Sequence, residues 1–212
     1  MAKVRKYGER KTKVVELYNS IQNAIKELSL DRLKAVSGLD DITIDASKLE
    51  KMTQGHWVVL MTTSWHGIRL LVSCHFTTEV ANALVIKKLG GDRHKAKEIH
   101  DFMAEFCNLT VGGIKSALST LIPQFLNVPN EFKVVLPDKR ADYELDASRS
   151  GRMDMNQTTS WSLVFPGGAV SISSTLELKE KELLDGIEGG IEKLTEAICN
   201  YKIKGEGEVE FF

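Results

Sequence analysis

Asp101-Phe-Met-Ala-Glu105-Phe-Cys-Asn108-Leu-Thr-Val-Gly112-Gly113 carries two patterns at once. At about 100° per residue on a helix, Asp101, Glu105, Asn108 and Gly112 fall within about 60° of one another, while Ile99, Phe102, Phe106, Leu109 and Ala117 gather on a separate face. The segment therefore reads as an amphipathic helix. Its apolar side needs a core to cover it, and its narrow polar side holds two acids and an amide. Extended outward, the pattern predicts a helix from about Lys95 to Leu121, with Pro123 and Pro129 beyond it as terminators.

Upstream of that helix, His56 to Thr63 and Ile68 to Phe76 are rich in Val, Leu and Ile, and the Ser64-Trp-His-Gly67 connection is short enough for an antiparallel hairpin. Thr77-Thr78 can then cap a helix with Glu79 in its first turn, apolar residues Val80, Ala81, Leu84, Val85 and Leu89, and Gly90-Gly91 as its stop. Further back, Val14, Leu17, Ile21, Ala24 or Ile25, and Leu28 recur at spacings of three and four, which predicts a helix from about 12 to 36 ended by Ser37-Gly38. A short extended piece follows at Ile42 to Asp45, and Asp40-Asp41 before it reads as a turn.

Downstream, Phe132 to Leu136 reads as a strand and Pro137 to Gln157 as a polar loop. Ser160 to Phe165 and Ala169 to Thr175 form two more strands, joined by Pro166-Gly-Gly168, a strong turn signal. From about 179 to 203 the apolar residues Leu184, Ile187, Ile191, Leu194, Ile198 and Tyr201 make a heptad-like seam on a last helix. Gly186, Gly189 and Gly190 weaken that helix by about 1 kcal/mol each relative to Ala, so packing has to hold it. Hairpins and helices of uneven length, without repeated strand–helix alternation, imply an α+β fold. This would be an α/β sandwich in one domain over residues 1–212, a mostly antiparallel sheet with long helices packed on it.

Twenty-eight basic and 29 acidic residues nearly cancel, so the chain as a whole exerts no pull on nucleic acid or an anionic membrane. Lys3, Arg5, Lys6, Arg10, Lys11 and Lys13 make the first residues locally basic, a solvated and frayed terminus by composition. No apolar run reaches the roughly 18 to 20 residues that span a bilayer, and the start lacks the apolar core of a secretory signal, so a cytoplasmic protein is expected. Cys74, Cys107 and Cys199 are odd in number, far apart and free of a C-x-x-C pair; they read as small core residues, not as a disulfide or zinc framework. His56, His66, His75, His94 and His100 show no metal-ligand spacing, so no metal site is expected on this chain. Trp57, Trp65 and Trp161 read as sheet-packing residues, since no basic groove accompanies them.

Glu-x-x-Asn by itself says little, because 18 Glu and 8 Asn would place about one such pair in this length by chance and the chain holds three. Glu16 with Asn19 and Glu79 with Asn82 stand alone. Glu105 with Asn108 differs by its context: Asp101 four residues before, Gly112 four residues after on the same stripe, and Pro129 beyond the helix. Here the chain resembles the CheC, CheX and FliY family of bacterial chemotaxis phosphatases, whose signature is Asp or Ser, three residues, Glu, two residues, Asn, and a proline some twenty residues later. The Gly-Ile-Arg-Leu-Leu-Val-Ser-Cys-His-Phe strand, the Thr-Thr-Glu-Val-Ala-Asn-Ala-Leu helix and the Pro-Gly-Gly-Ala-Val-Ser-Ile-Ser hairpin look like the family's surrounding elements. The resemblance covers about residues 56 to 176. With one such site it looks more like CheX than the two-site CheC.

What the resemblance implies is hydrolysis of the aspartyl phosphate of a CheY-type response regulator, ending its signal. The regulator would bring the phosphoaspartate, a Mg²⁺ and a Lys, so this chain would need no cofactor of its own. Asn108 would position water, Glu105 would pair with the partner's Lys, Gly112 would admit the partner's backbone, and Asp101 would align the surface. Family members of the CheX type form homodimers, and one is expected here. Two other readings stand beside this one: a non-catalytic adaptor that binds a response regulator, and a homodimeric interaction module whose helical seams pair between copies.

Overall fold

The computed structural model describes residues 2–46, 56–65, 68–119, 131–135 and 155–178. Within them the chain forms α1 (Ala2–Ser37), β1 (Thr43–Asp45), β2 (His56–Trp65), β3 (Ile68–Thr77), α2 (Thr78–Leu89), α3 (Ala96–Ser119), β4 (Glu131–Val135), β5 (Met155–Phe165) and β6 (Gly168–Leu178). The six strands make one antiparallel sheet in the order β1-β5-β6-β3-β2-β4. This is the α+β architecture expected from hairpins and uneven helices. The C-terminal helix expected at about 179 to 203 and most of the loop expected at 137 to 157 lie outside the described residues.

Strand alternation divides the sheet into two unlike faces. On one face Val59 and Met61 of β2 stand beside Cys74 and Val72 of β3, which stand beside Ile172 and Ser174 of β6, and Trp161 of β5 completes the row next to Ile172. The three helices bury Ile21, Ile25 and Leu28 of α1, Ala81, Leu84 and Val85 of α2, and Phe102, Phe106 and Val111 of α3 into the same core. The opposite face carries hydroxyl pairs across strands: Ser162 with Ser171 at 3.0 Å, Thr158 with Thr175 at 2.8 Å, and Ser73 with Ser173. Cys74 and Cys107 are core residues as expected, and burial pushes the Cys74 thiol well above its ordinary pKa.

Each connection follows from local chemistry. The N–H of Gly38 donates to Lys34 O at 2.8 Å with φ +71°, so α1 ends where the Ser37-Gly38 signal stands. Thr77 Oγ1 accepts from the Val80 N–H at 3.2 Å to start α2, and Gly90, at φ +78°, ends it through Ile86 O. In the β5–β6 hairpin Phe165 pairs with Gly168 across Pro166-Gly167, and Gly167 takes φ +109°, which a side chain would resist.

Two element starts depart from the sequence expectation by several residues. Helix α1 begins at Ala2, not near residue 12, so the basic segment is helical and not a frayed terminus. Apolar periodicity weakens in that segment, but Lys and Arg are themselves good helix formers and favour extension of an existing helix. Strand β5 begins at Met155, not Ser160, because Gln157, Thr158 and Thr159 continue the ladder with Leu176, Thr175 and Ser174 of β6. Hydroxyl and amide residues there satisfy the sheet without an apolar pattern to announce them.

Candidate functional site

Helix α3 lays its apolar side, Ile99, Phe102, Phe106 and Val111, into the core and keeps the opposite stripe outward. The expected division of faces is what forms. Asp101 and Asn108 are exposed, and Glu105 and Gly112 are partly exposed. The Asn108 amide Nδ2 donates to Glu105 Oε2 at 3.4 Å, so acid and amide lie side by side. Beside them Gly112 leaves open space, since a Cβ built there would meet nothing within 4 Å. All four sequence-chosen residues therefore share one accessible surface, while Pro129 lies outside the described residues.

The two other Glu-x-x-Asn pairs have different surroundings. Asn82 Oδ1 accepts the backbone N–H of His94 at 3.1 Å and so ties α2 to the loop before α3. Glu16 and Asn19 are exposed on α1, without the acid and glycine that flank Glu105 and Asn108.

The start of α3 is set by a carboxylate. Glu98 accepts from the Lys95 backbone N–H at 3.0 Å and from His94 Nδ1 at 3.2 Å, and these contacts, the backbone one first, hold its carboxyl below the usual range. His94 Nε2 also lies 2.8 Å from Gly90 O, at the end of α2. The loop between the helices is thus closed on itself, and the first turn of α3 is held where Asp101 follows it.

Sequence reading missed two neighbours of the stripe. His100, expected to be a hydrogen-bonded or exposed histidine, packs its ring against Trp57 at the start of β2, with ring centroids 4.0 Å apart and planes tilted by 58°. Burial pushes its pKa below the ordinary histidine value, against an upward pull from Asp101. The contact joins residues far apart in sequence, so no local pattern signals it. Lys115 projects onto the same stripe by the helical count that finds Gly112, yet it is only 8% exposed. Desolvation pushes its pKa below the ordinary lysine value.

The antiparallel sheet backed by helices is a fold shared with solved CheX and CheC-like chemotaxis proteins. A CheX chemotaxis protein from Vibrio vulnificus is similar at a TM-score of 0.51 and 17% identity, over 74% of this chain and 99% of that one. A CheC-like superfamily protein from Shewanella sp. PV-4 is similar at a TM-score of 0.50 and 17% identity, over 77% of this chain and 98% of that one. At such identities the likeness is one of fold. No protein-family model matches the sequence, and no curated protein matches it. Among the described residues no helix is long and apolar enough to cross a membrane, and no group of three or more His, Cys, Asp or Glu could hold a metal ion.

Proposed function

We propose that this chain is a CheX-like phosphatase that hydrolyses the aspartyl phosphate of a CheY-type response regulator in the cytoplasm. The observation that carries this reading is the outward pairing of Asn108 and Glu105 at 3.4 Å beside the open surface at Gly112. In the reaction a water oxygen attacks phosphorus in line, the bond from phosphorus to the aspartyl oxygen breaks, and the partner's carboxylate and inorganic phosphate leave. Phosphoryl transfer of this kind asks for positioning and charge neutralisation rather than for covalent help. The Asn108 amide orients the water by hydrogen bonding and needs no proton of its own. Glu105 makes a charge-assisted bond to a cation of the partner and sets the docking register. The Mg²⁺ is the partner's, and this chain adds no cofactor.

The fold likeness to CheX and CheC-like chemotaxis proteins supports the reading. Its test is the rate of phosphate release from a CheY-type regulator phosphorylated with acetyl phosphate, for the native chain and for Asn108→Ala. Turnover is expected to fall by at least about tenfold while affinity stays within about tenfold, because a transition-state contact is removed and a docking contact is not. Equal rates would mean that the chain binds regulators as an adaptor or does something else. Gly112→Leu is expected to weaken docking and spare the fold; unchanged affinity overturns the docking role of that surface. A light-scattering mass near twice the chain's own is expected for the homodimer.

A further inference from the structure

The polar stripe can serve a partner only if α3 is held at one roll about its axis. Two contacts flank the stripe. By helical count His100 lies about 100° to one side of Asp101 and Gly113 about 120° to the other, roughly 20 Å apart along the axis. At the far contact a Cβ on Gly113 would stand 2.9 Å from Leu28 Cδ2, so glycine lets α1 and α3 approach closely. At the near contact His100 meets the Trp57 ring, and the Trp57 indole N–H donates to Thr78 Oγ1 at 2.9 Å. Trp57, near the start of β2, is partly buried and packs against the core. One imidazole thus joins α3 to β2 and, through the indole, to the first residue of α2. Glu105 and Asn108 lie between the two contacts.

We propose that His100 is a positioning residue: through its tilted ring contact with Trp57, itself tied to Thr78, it fixes the roll of α3 and so aims Glu105 and Asn108 outward. The role in turnover rests on the phosphatase reading; the role in orientation does not. By helical count His100 lies about 100° off the stripe, so it acts through the helix. What the position requires is a flat ring against the indole. Phenylalanine meets that requirement and alanine does not.

The experiment compares the native chain, His100→Ala and His100→Phe by amide and indole proton–nitrogen spectra, and by phosphate release from a CheY-type regulator phosphorylated with acetyl phosphate. In His100→Ala the Trp57 indole resonance and the amides of residues 101–112 are expected to shift while β5 and β6 amides stay in place; His100→Phe is expected to restore them. In His100→Ala kcat is expected to fall about tenfold with KM within about twofold, since small misplacement of positioned groups is costly to rate. His100→Phe should recover most of that loss. Stripe amides that keep their native positions in His100→Ala overturn the proposal. So does a kcat loss that His100→Phe fails to recover. Should His100→Ala not fold, Thr78→Val frees the indole from its acceptor and is expected to move the same amides by less; no movement again overturns it. A native chain that releases no phosphate defeats the phosphatase reading alone, and the spectra still decide the orientation claim.

Discussion

A methyl group added at Gly112 meets nothing within 4 Å, whereas one added at Gly113 would stand 2.9 Å from Leu28 Cδ2 and 3.2 Å from Leu28 Cδ1. Two adjacent glycines thus have opposite reasons to lack a side chain. In a helix interior alanine is favoured over glycine by about 1 kcal/mol, and at Gly112 nothing opposes that gain. Gly112→Ala is therefore expected to stabilise the fold by about 1 kcal/mol in denaturant unfolding. At Gly113 the same gain meets Leu28, which is 1% exposed and packed in the core, so it has little room to turn aside. Overpacking a filled core costs about 1 to 3 kcal/mol, which outweighs the helix gain. Gly113→Ala is expected to destabilise by about 1 kcal/mol, and equal midpoints for the two variants would show that Leu28 yields. The sequence announces the pair as needing a reason. Only the packing of α1 on α3 assigns close approach to one glycine and open surface to the other.

Contacts between elements are where local patterns stop being informative. The hairpin of β5 and β6 reaches α2 through Gly168, where an added Cβ would lie 2.6 Å from Val80 Cγ2. No side chain fits there without moving α2 or the turn. Gly168→Ala is expected to cost about 2 kcal/mol, as overpacking does, and Val80→Ala in the same chain to recover part of it. Additive losses in that double-mutant cycle would mean that the two residues do not oppose one another. The elements themselves were readable: the Thr77 cap, the Gly38 and Gly90 stops and the β2–β3 hairpin follow from residues next to one another in the chain. The same holds for the stripe of Asp101, Glu105, Asn108 and Gly112, since one helical projection sets their common face. What stayed hidden depended on partners distant in sequence or on polar strand pairing. His100 finds Trp57 only after β2 and α3 pack, and Thr158 pairs with Thr175 where no apolar alternation marks a strand.

For the molecule as a whole, pH tests whether burial of His100 is part of the folded state's energy. Its folded pKa lies below its ordinary value of about 6.5, with burial the larger cause and Asp101 opposing it. The unfolded chain then binds this proton more readily than the folded one, so stability rises with pH through the window between the two values. The contribution is fully present above about pH 6.5 and is lost as the medium is acidified toward the folded value. Glu98 acts in a separate window, because its folded pKa lies below the ordinary carboxylate value, so its contribution is lost only as pH falls through that lower range. Lys115 bears on the alkaline side: with its folded pKa depressed by desolvation, stability rises as pH climbs through that value toward the ordinary lysine range. A chemical-denaturation midpoint measured from pH 7 to pH 5 is therefore expected to fall for the native chain and to fall less for His100→Phe. That variant keeps a ring against Trp57 but has no proton to bind. Parallel curves for the two chains would assign the acid loss to other groups and leave His100 as a packed ring whose protonation the fold does not resist.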